Sequence, residues 1–168
     1  MLSEKELLPQ YSNDKIKVYK VNQEFIHNDH MPDFVGGHAL IMDFIPPGEI
    51  WLADDLDDNQ TKSTLYYLLV QKRLMAKGVP YKDSIKMAGK LEKEVGNDFE
   101  GDIQNELNES QDIIEPSFSN GAKHNLAGKN SKRLNYNIKS LHENQKKRRH
   151  KLYSHKQTIG ETMVRFLG

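Results

Sequence analysis

The chain has no cysteine, which excludes disulfides, thiolate nucleophiles and thiolate ligands and leaves any metal to His, Asp and Glu. Those types come together at His27-Asn28-Asp29-His30, where two imidazoles and a carboxylate offer three donors to a cation such as zinc. Histidines in so polar a run are more often simply solvated. His38 follows Gly36-Gly37 and stands alone; a single imidazole at the start of a strand is more often a satisfied structural group than a ligand. Asp54, Asp55, Asp57 and Asp58 have the density of a calcium loop, yet the glycine and distal glutamate of such a loop are missing. Just ahead of a helical pattern, these acids suit helix initiation, where the dipole favours negative charge. Trp51, Tyr66 and Tyr67 could line a ligand groove, although such aromatics more often fill the core of a small domain.

The second available chemistry is electrostatic. The run Lys146-Lys147-Arg148-Arg149-His150-Lys151 can contact phosphates, with Tyr136 or Tyr153 stacking on bases, or it can face an acidic protein surface. Formal net charge is zero, but the charges are sorted: seven acids and no Lys or Arg lie from Asp98 to Glu115, then eleven Lys and Arg against the single acid Glu143 from Gly121 to Lys156. The neutral total hides a dipolar tail. Apolar residues are sparse and charged ones make up 29%, so a compact core engages only part of the chain. No run approaches the roughly 18 apolar residues of a membrane span. The opening MLSEKELLPQ is too charged for a signal peptide, so the chain is expected to stay in the compartment where it is made, with no membrane partner.

The elements that would hold these groups follow from periodicity. Lys15 to Val21 is β-branched and partly alternating, and Glu24-Phe25-Ile26 can continue it or pair with it after Asn22-Gln23, which predicts an opening strand or hairpin. His38 to Ile45, then Pro46-Pro47-Gly48, then Glu49 to Leu52 predict a second one, with Pro47 and Gly48 in the central positions of a type II turn. Helical spacing begins after the acids: Leu65, Leu68, Leu69 and Val70 lead to Leu74 and Met75, and Gly78 and Pro80 supply stop signals. Met87, Ala88, Leu91 and Val95 form the stripe of a following helix. Its lysines, Lys82, Lys86, Lys90 and Lys93, alternate with acids and offer no face for reading DNA as a helix-turn-helix would.

The fold class expected is α+β, two short β-hairpins packed on a helix pair, followed by an extended, largely irregular C-terminal arm. The parts are an N-terminal extension over 1–14, the folded unit over 15–96, an acidic linker over 97–120 and a basic arm over 121–168. Apolar residues beyond Asn97 are isolated, Lys139 to Tyr153 can form a basic helix, and Met163, Val164, Phe166 and Leu167 resemble a docking peptide.

From Gly36 to Glu94 the chain resembles a family of small proteins of tailed phages and prophages. The residues that carry this are Gly36-Gly37-His38, Phe44-Ile45-Pro46, Glu49-Ile50-Trp51-Leu52, Asp54-Asp55 and Arg73-Leu74-Met75-Ala76-Lys77-Gly78. That family is marked by a His-Glu-x-x-His or His-Glu-x-x-Glu helix, which puts two metal ligands one turn apart beside a glutamate that activates water. Here the aligned run is Tyr67-Leu68-Leu69-Val70-Gln71. Tyrosine stands for the first ligand, leucine for the base and glutamine for the second ligand; leucine moves no proton and glutamine is a poor zinc ligand. The resemblance thus implies a degenerate metallopeptidase-like domain in which Tyr67, Leu68, Gln71 and His38 are vestigial site positions and no metal or other cofactor is expected.

These readings converge on a non-enzymatic virion structural protein, head-associated, capsid-auxiliary or portal- or tail-adjacent, made in the host cytoplasm. Its arm would dock on capsid or portal subunits through Lys146, Lys147, Arg148, Arg149, Lys151, Tyr153 and Phe166, with packaged DNA as a further candidate partner. The alternatives are a nucleic-acid-binding accessory protein using the same arm, and a divergent zinc hydrolase built on His27, His30, His38 and Asp54.

Overall fold

The computed structural model describes residues 5–29, 31–110 and 139–154, with the backbone alone at 27–29. The chain is α+β: a four-stranded sheet with two antiparallel strand pairs packs against helices. Its elements are β1 (Lys5–Leu7), a 3-10 turn (Pro9–Tyr11), β2 (Lys17–Val21), α1 (Gln23–Asp29), β3 (Gly36–His38), β4 (Glu49–Ala53), α2 (Asp58–Ala76), α3 (Tyr81–Val95) and α4 (Glu100–Glu109), followed by a helix over 139–154, here α5. Spatial order is β1-β2-β4-β3. The outer pairs are antiparallel and the central pair, β2 with β4, is parallel, so β3 is an edge strand.

Alternation along the strands separates two apolar clusters, as a period of two requires. Val18, Ile50 and Leu52 join α2 and α4 on one side. Val21 and Ala53, with Tyr19 and Trp51 alongside, join Ile26, Phe34, Met42 and Ile45 on the other. Between the sheet and the outer helices lies α2, buried at Leu65, Tyr66, Leu68, Leu69 and Val70 on successive faces. A helix enclosed on nearly every side is the centre of the molecule. Its ends are built by local chemistry. Asp57 accepts from the Gln60 N–H while the Gln60 side chain accepts from the Asp57 N–H, a capping box that satisfies two orphan donors. At the other end Gly78, at φ +93°, allows its own N–H to reach Met75 O and that of Val79 to reach Leu74 O, closing a Schellman motif.

The turn at Pro46–Glu49 forms with Gly48 at φ +79° and the Glu49 N–H on Pro46 O, as its sequence requires. Other local expectations are corrected. The partner of β2 in the first pair is β1, and Glu24-Phe25-Ile26 is helical, started by the Asn22 side chain accepting from the Glu24 N–H and the Asp54 side chain accepting from that of Gln23. The strand expected over His38 to Ile45 stops at His38, because the His38 carbonyl accepts from both Ile41 and Met42 and folds the chain into turns. Residues 5–11, expected to precede the domain, belong to it through β1 and the buried Tyr11. The core also continues past Gly96: Phe99, Ile103 and Leu107 are buried against α2, and their spacing of four is one face of α4. The basic helix expected over Lys139 to Tyr153 is present as α5.

Candidate functional site

The edge strand β3 is closely packed on both faces, Gly36 against α2 and Gly37 against Met42, which explains its glycines. A Cβ on Gly36 would lie 2.9 Å from Leu68 Cδ1 and 2.9 Å from Trp51 O, and one on Gly37 would collide with Met42 Sδ. Only glycine lets the strand approach this closely. The approach seats His38, fully buried, against Gln71 on α2, with Nε2 3.3 Å from Gln71 Oε1. That oxygen only accepts, so the contact is a hydrogen bond in the tautomer that carries its proton on Nε2, and Nδ1 is a buried nitrogen with no partner among the described residues. Burial above all, and then the charge of nearby Lys72, lower the His38 pKa to about 3 against the smaller opposing effect of the Gln71 bond. The imidazole is neutral at physiological pH and locks β3 to α2.

Of the run Tyr67 to Gln71, Leu68 packs on Gly36 and Gln71 holds His38, while Tyr67 turns toward α5. There α5 lays a single stripe, Leu141, Gln145, Arg148 and Leu152, along the body, spaced at four, three and four residues as one helical face. Gln145 is buried, and its carboxamide pairs with the open edge of β3. Oε1 accepts from the N–H groups of Val35 at 2.8 Å and Gly36 at 3.4 Å, and Nε2 donates to Gly36 O at 2.9 Å. A side-chain amide thus takes the place of a neighbouring strand and satisfies backbone groups that an edge leaves open.

One turn on, the Arg148 guanidinium stacks 4.2 Å from the Tyr67 ring centroid, donates to both Glu92 oxygens at 2.9 and 3.0 Å and reaches Thr64 Oγ1 at 3.2 Å. Glu92, on α3, also accepts from Ser63. Burial alone would raise the Glu92 carboxyl; the Arg148 charge and hydrogen bonds, with help from Ser63 and Lys151, outweigh it and hold the pKa below its ordinary value. Burial likewise pushes the Tyr67 hydroxyl up to about 12. Arg149 and Tyr153 both turn to Asp55, and Tyr81 and Gln60 add bonds to Asn144 and the Leu152 carbonyl.

The basic run is therefore divided. Arg148, Arg149 and Tyr153 face the body, while Lys146, Lys147, His150 and Lys151 face solvent, with Lys147 bridging to Glu143 one turn back. Phe166 and Tyr136 lie outside the described residues, as does His30, and nothing is described of the His27 side chain. Asp54 caps α1, and Asp57 caps α2. Among the described residues no three His, Asp or Glu side chains come together as a metal site, and no helix is long and apolar enough to cross a membrane. Sequence reasoning passed over Gln145, Glu92 and Asp55 as partners of the arm; the spacing of Leu141, Gln145, Arg148 and Leu152 was the available signal. Comparison with protein-family models, with curated proteins and with solved structures finds no match to this chain.

Proposed function

We propose that this chain is a non-enzymatic assembly protein, a structural component of a phage-type virion whose α+β body and basic arm serve to join subunits. The observation that carries this reading is the closed state of the α2–β3 junction: His38 and Gln71 are spent on each other inside the core, and α5 covers Tyr67 and the strand edge beside them. A water-activating centre needs an open position and a group able to take a proton. Leucine at 68 supplies neither, and it is occupied in packing Gly36. What the surface offers instead is a helix held by shape, amide pairing and charge, which is the chemistry of subunit contact. The virion part of this proposal rests on the resemblance of the stretch from Gly36 to Glu94 to small proteins of tailed phages. Density-gradient sedimentation of native lysate, probed for this chain, tests it. Migration with large particles is the expected result; a chain found only in the slow fractions would overturn the virion assignment.

A second reading, nucleic-acid binding, is favoured by one observation: Lys146, Lys147, His150 and Lys151 share the solvent face of α5. Three or four phosphate contacts would make log K fall by about 3 for each tenfold rise in salt. Binding to duplex DNA that is insensitive to replacing Lys146 and Lys147 with alanine would reject it.

A further inference from the structure

The body of the molecule carries a complete receptor for a basic amphipathic helix, and we infer that this receptor takes α5 from a second copy of the chain, making α5 the exchanged element of a dimer or longer assembly. The inference rests on the assembly reading above and names its contact.

Four separate parts of the body build the receptor. The β3 edge at Gly36 recognises an amide side chain, and Glu92 on α3 with Thr64 and Tyr67 on α2 recognises a guanidinium. Asp55, in the turn before α2, recognises a second guanidinium and a phenol. The matching ligand is a helix with leucine, glutamine, arginine and leucine on one stripe and a further arginine and tyrosine beside it, and this chain supplies such a helix at 139–154. Opposite charges meet at both guanidinium sites, so the fit is selective for a basic ligand.

Nothing in the reach of the chain reserves the helix for its own body. Residues 111–138 separate α4 and α5 in sequence, and a segment of that length can span roughly 95 Å at full extension, well beyond the roughly 35 Å diameter of a body this size. At low concentration the tether favours the chain's own receptor. In an assembly, where neighbouring copies are present at millimolar effective concentration, the two choices become comparable. Exchange of an identical element needs no new contact, since every bond is reused.

A mixing experiment with two full-length variants tests this. In Glu92→Arg the receptor repels its own α5, and in Arg148→Glu the helix is repelled by its own receptor. Alone, each variant is expected to be monomeric and cut rapidly by trypsin at Lys146 and Lys147. In a mixture, the unaltered helix of the first variant matches the unaltered receptor of the second, while the remaining pair meets with its charges reversed. The expected result is a species of twice the chain mass by sedimentation velocity, with trypsin cleavage at Lys146 and Lys147 slowed at least tenfold. A mixture that remains monomeric and equally cleavable overturns the exchange. The pair Asp55→Arg and Arg149→Asp, at a more exposed position, repeats the test should Glu92→Arg fail to fold. Failure here leaves the particle sedimentation result untouched, and a chain absent from particles would leave the mixed dimer intact, so the two readings fail separately.

Discussion

At the scale of single residues, His38 and Glu92 are buried ionisable groups of opposite character. His38 is held neutral by burial, so it resists protonation in the folded state while the unfolded chain takes up a proton near the ordinary imidazole value. Its folded pKa is depressed, and for a base this means that stability is full above about pH 6.5 and falls as pH drops toward 3. The loss predicted at pH 5 is about 2 kcal/mol. Urea midpoints measured from pH 7.5 to 5 should show this slope in the native chain and lose most of it in His38→Gln. A slope that survives the substitution would place its origin elsewhere. Glu92 is the converse case: its depressed carboxyl contributes stability above its ordinary pKa that is lost as pH falls through the folded value. Removing its charge strands a guanidinium that is largely excluded from water, a loss of about 3–5 kcal/mol when the charge has no escape. Arg148 does have one, because α5 can leave. For Glu92→Gln we expect instead that trypsin cleaves at Lys146 and Lys147 while the melting of α2 hardly changes. A uniform loss of stability across the molecule would contradict this.

At the scale of elements, legibility in the sequence followed how local each signal was. The capping acids, the Pro47-Gly48 turn, the stop at Gly78 and the basic helix from Lys139 are all set within a few residues, and all were readable. The parallel pairing of β2 with β4 joins segments about thirty residues apart, and no short pattern encodes such a partner. A different cause hid α4. Phe99, Ile103 and Leu107 sit in so acidic a stretch that composition outweighed their period, yet the acids are used: Arg73 on α2 forks onto Glu106 at 2.7 and 2.9 Å. Of the candidate site, the residue types at Tyr67, Leu68 and Gln71 were visible in the sequence itself, but not that Leu68 would pack on Gly36 and Gln71 hold His38. That Gln145 would cover the strand edge was not visible either, because a carboxamide gives no hint of its partner a hundred residues away. Since Ile103 is fully buried in the main core, Ile103→Ala is expected to cost about 2–5 kcal/mol. Chemical denaturation measures it directly, and a cost below 1 kcal/mol would mean that α4 is not part of the cooperative unit.

At the scale of the whole molecule, the body and α5 differ in what holds them. One apolar cluster closes the body around α2 and a second packs on the other side of the sheet, whereas α5 contributes one fully packed apolar side chain, Leu141, and a half-buried one, Leu152, with its remaining contacts made by amides and charges. A helix of this length is marginal in water by itself, so its structure depends on docking. Burial of Leu141 contributes about 1.5–3 kcal/mol and each neutral hydrogen bond about 1 kcal/mol, a sum that ordering the side chains and backbone largely offsets. The helix should therefore open by itself, at a free energy below that of global unfolding. Native-state hydrogen exchange is expected to find the amides of 141–152 exchanging at least a hundredfold faster than those of Leu65 to Val70. Because Arg148 and Arg149 are held by carboxylates, raising salt from 0.05 to 0.5 M should accelerate exchange in α5 and leave α2 unchanged, since only the charged part of the docking is screened. Equal protection across both helices would mean that α5 is bonded into the core as firmly as α2, and a helix so fixed could not be passed to a neighbour.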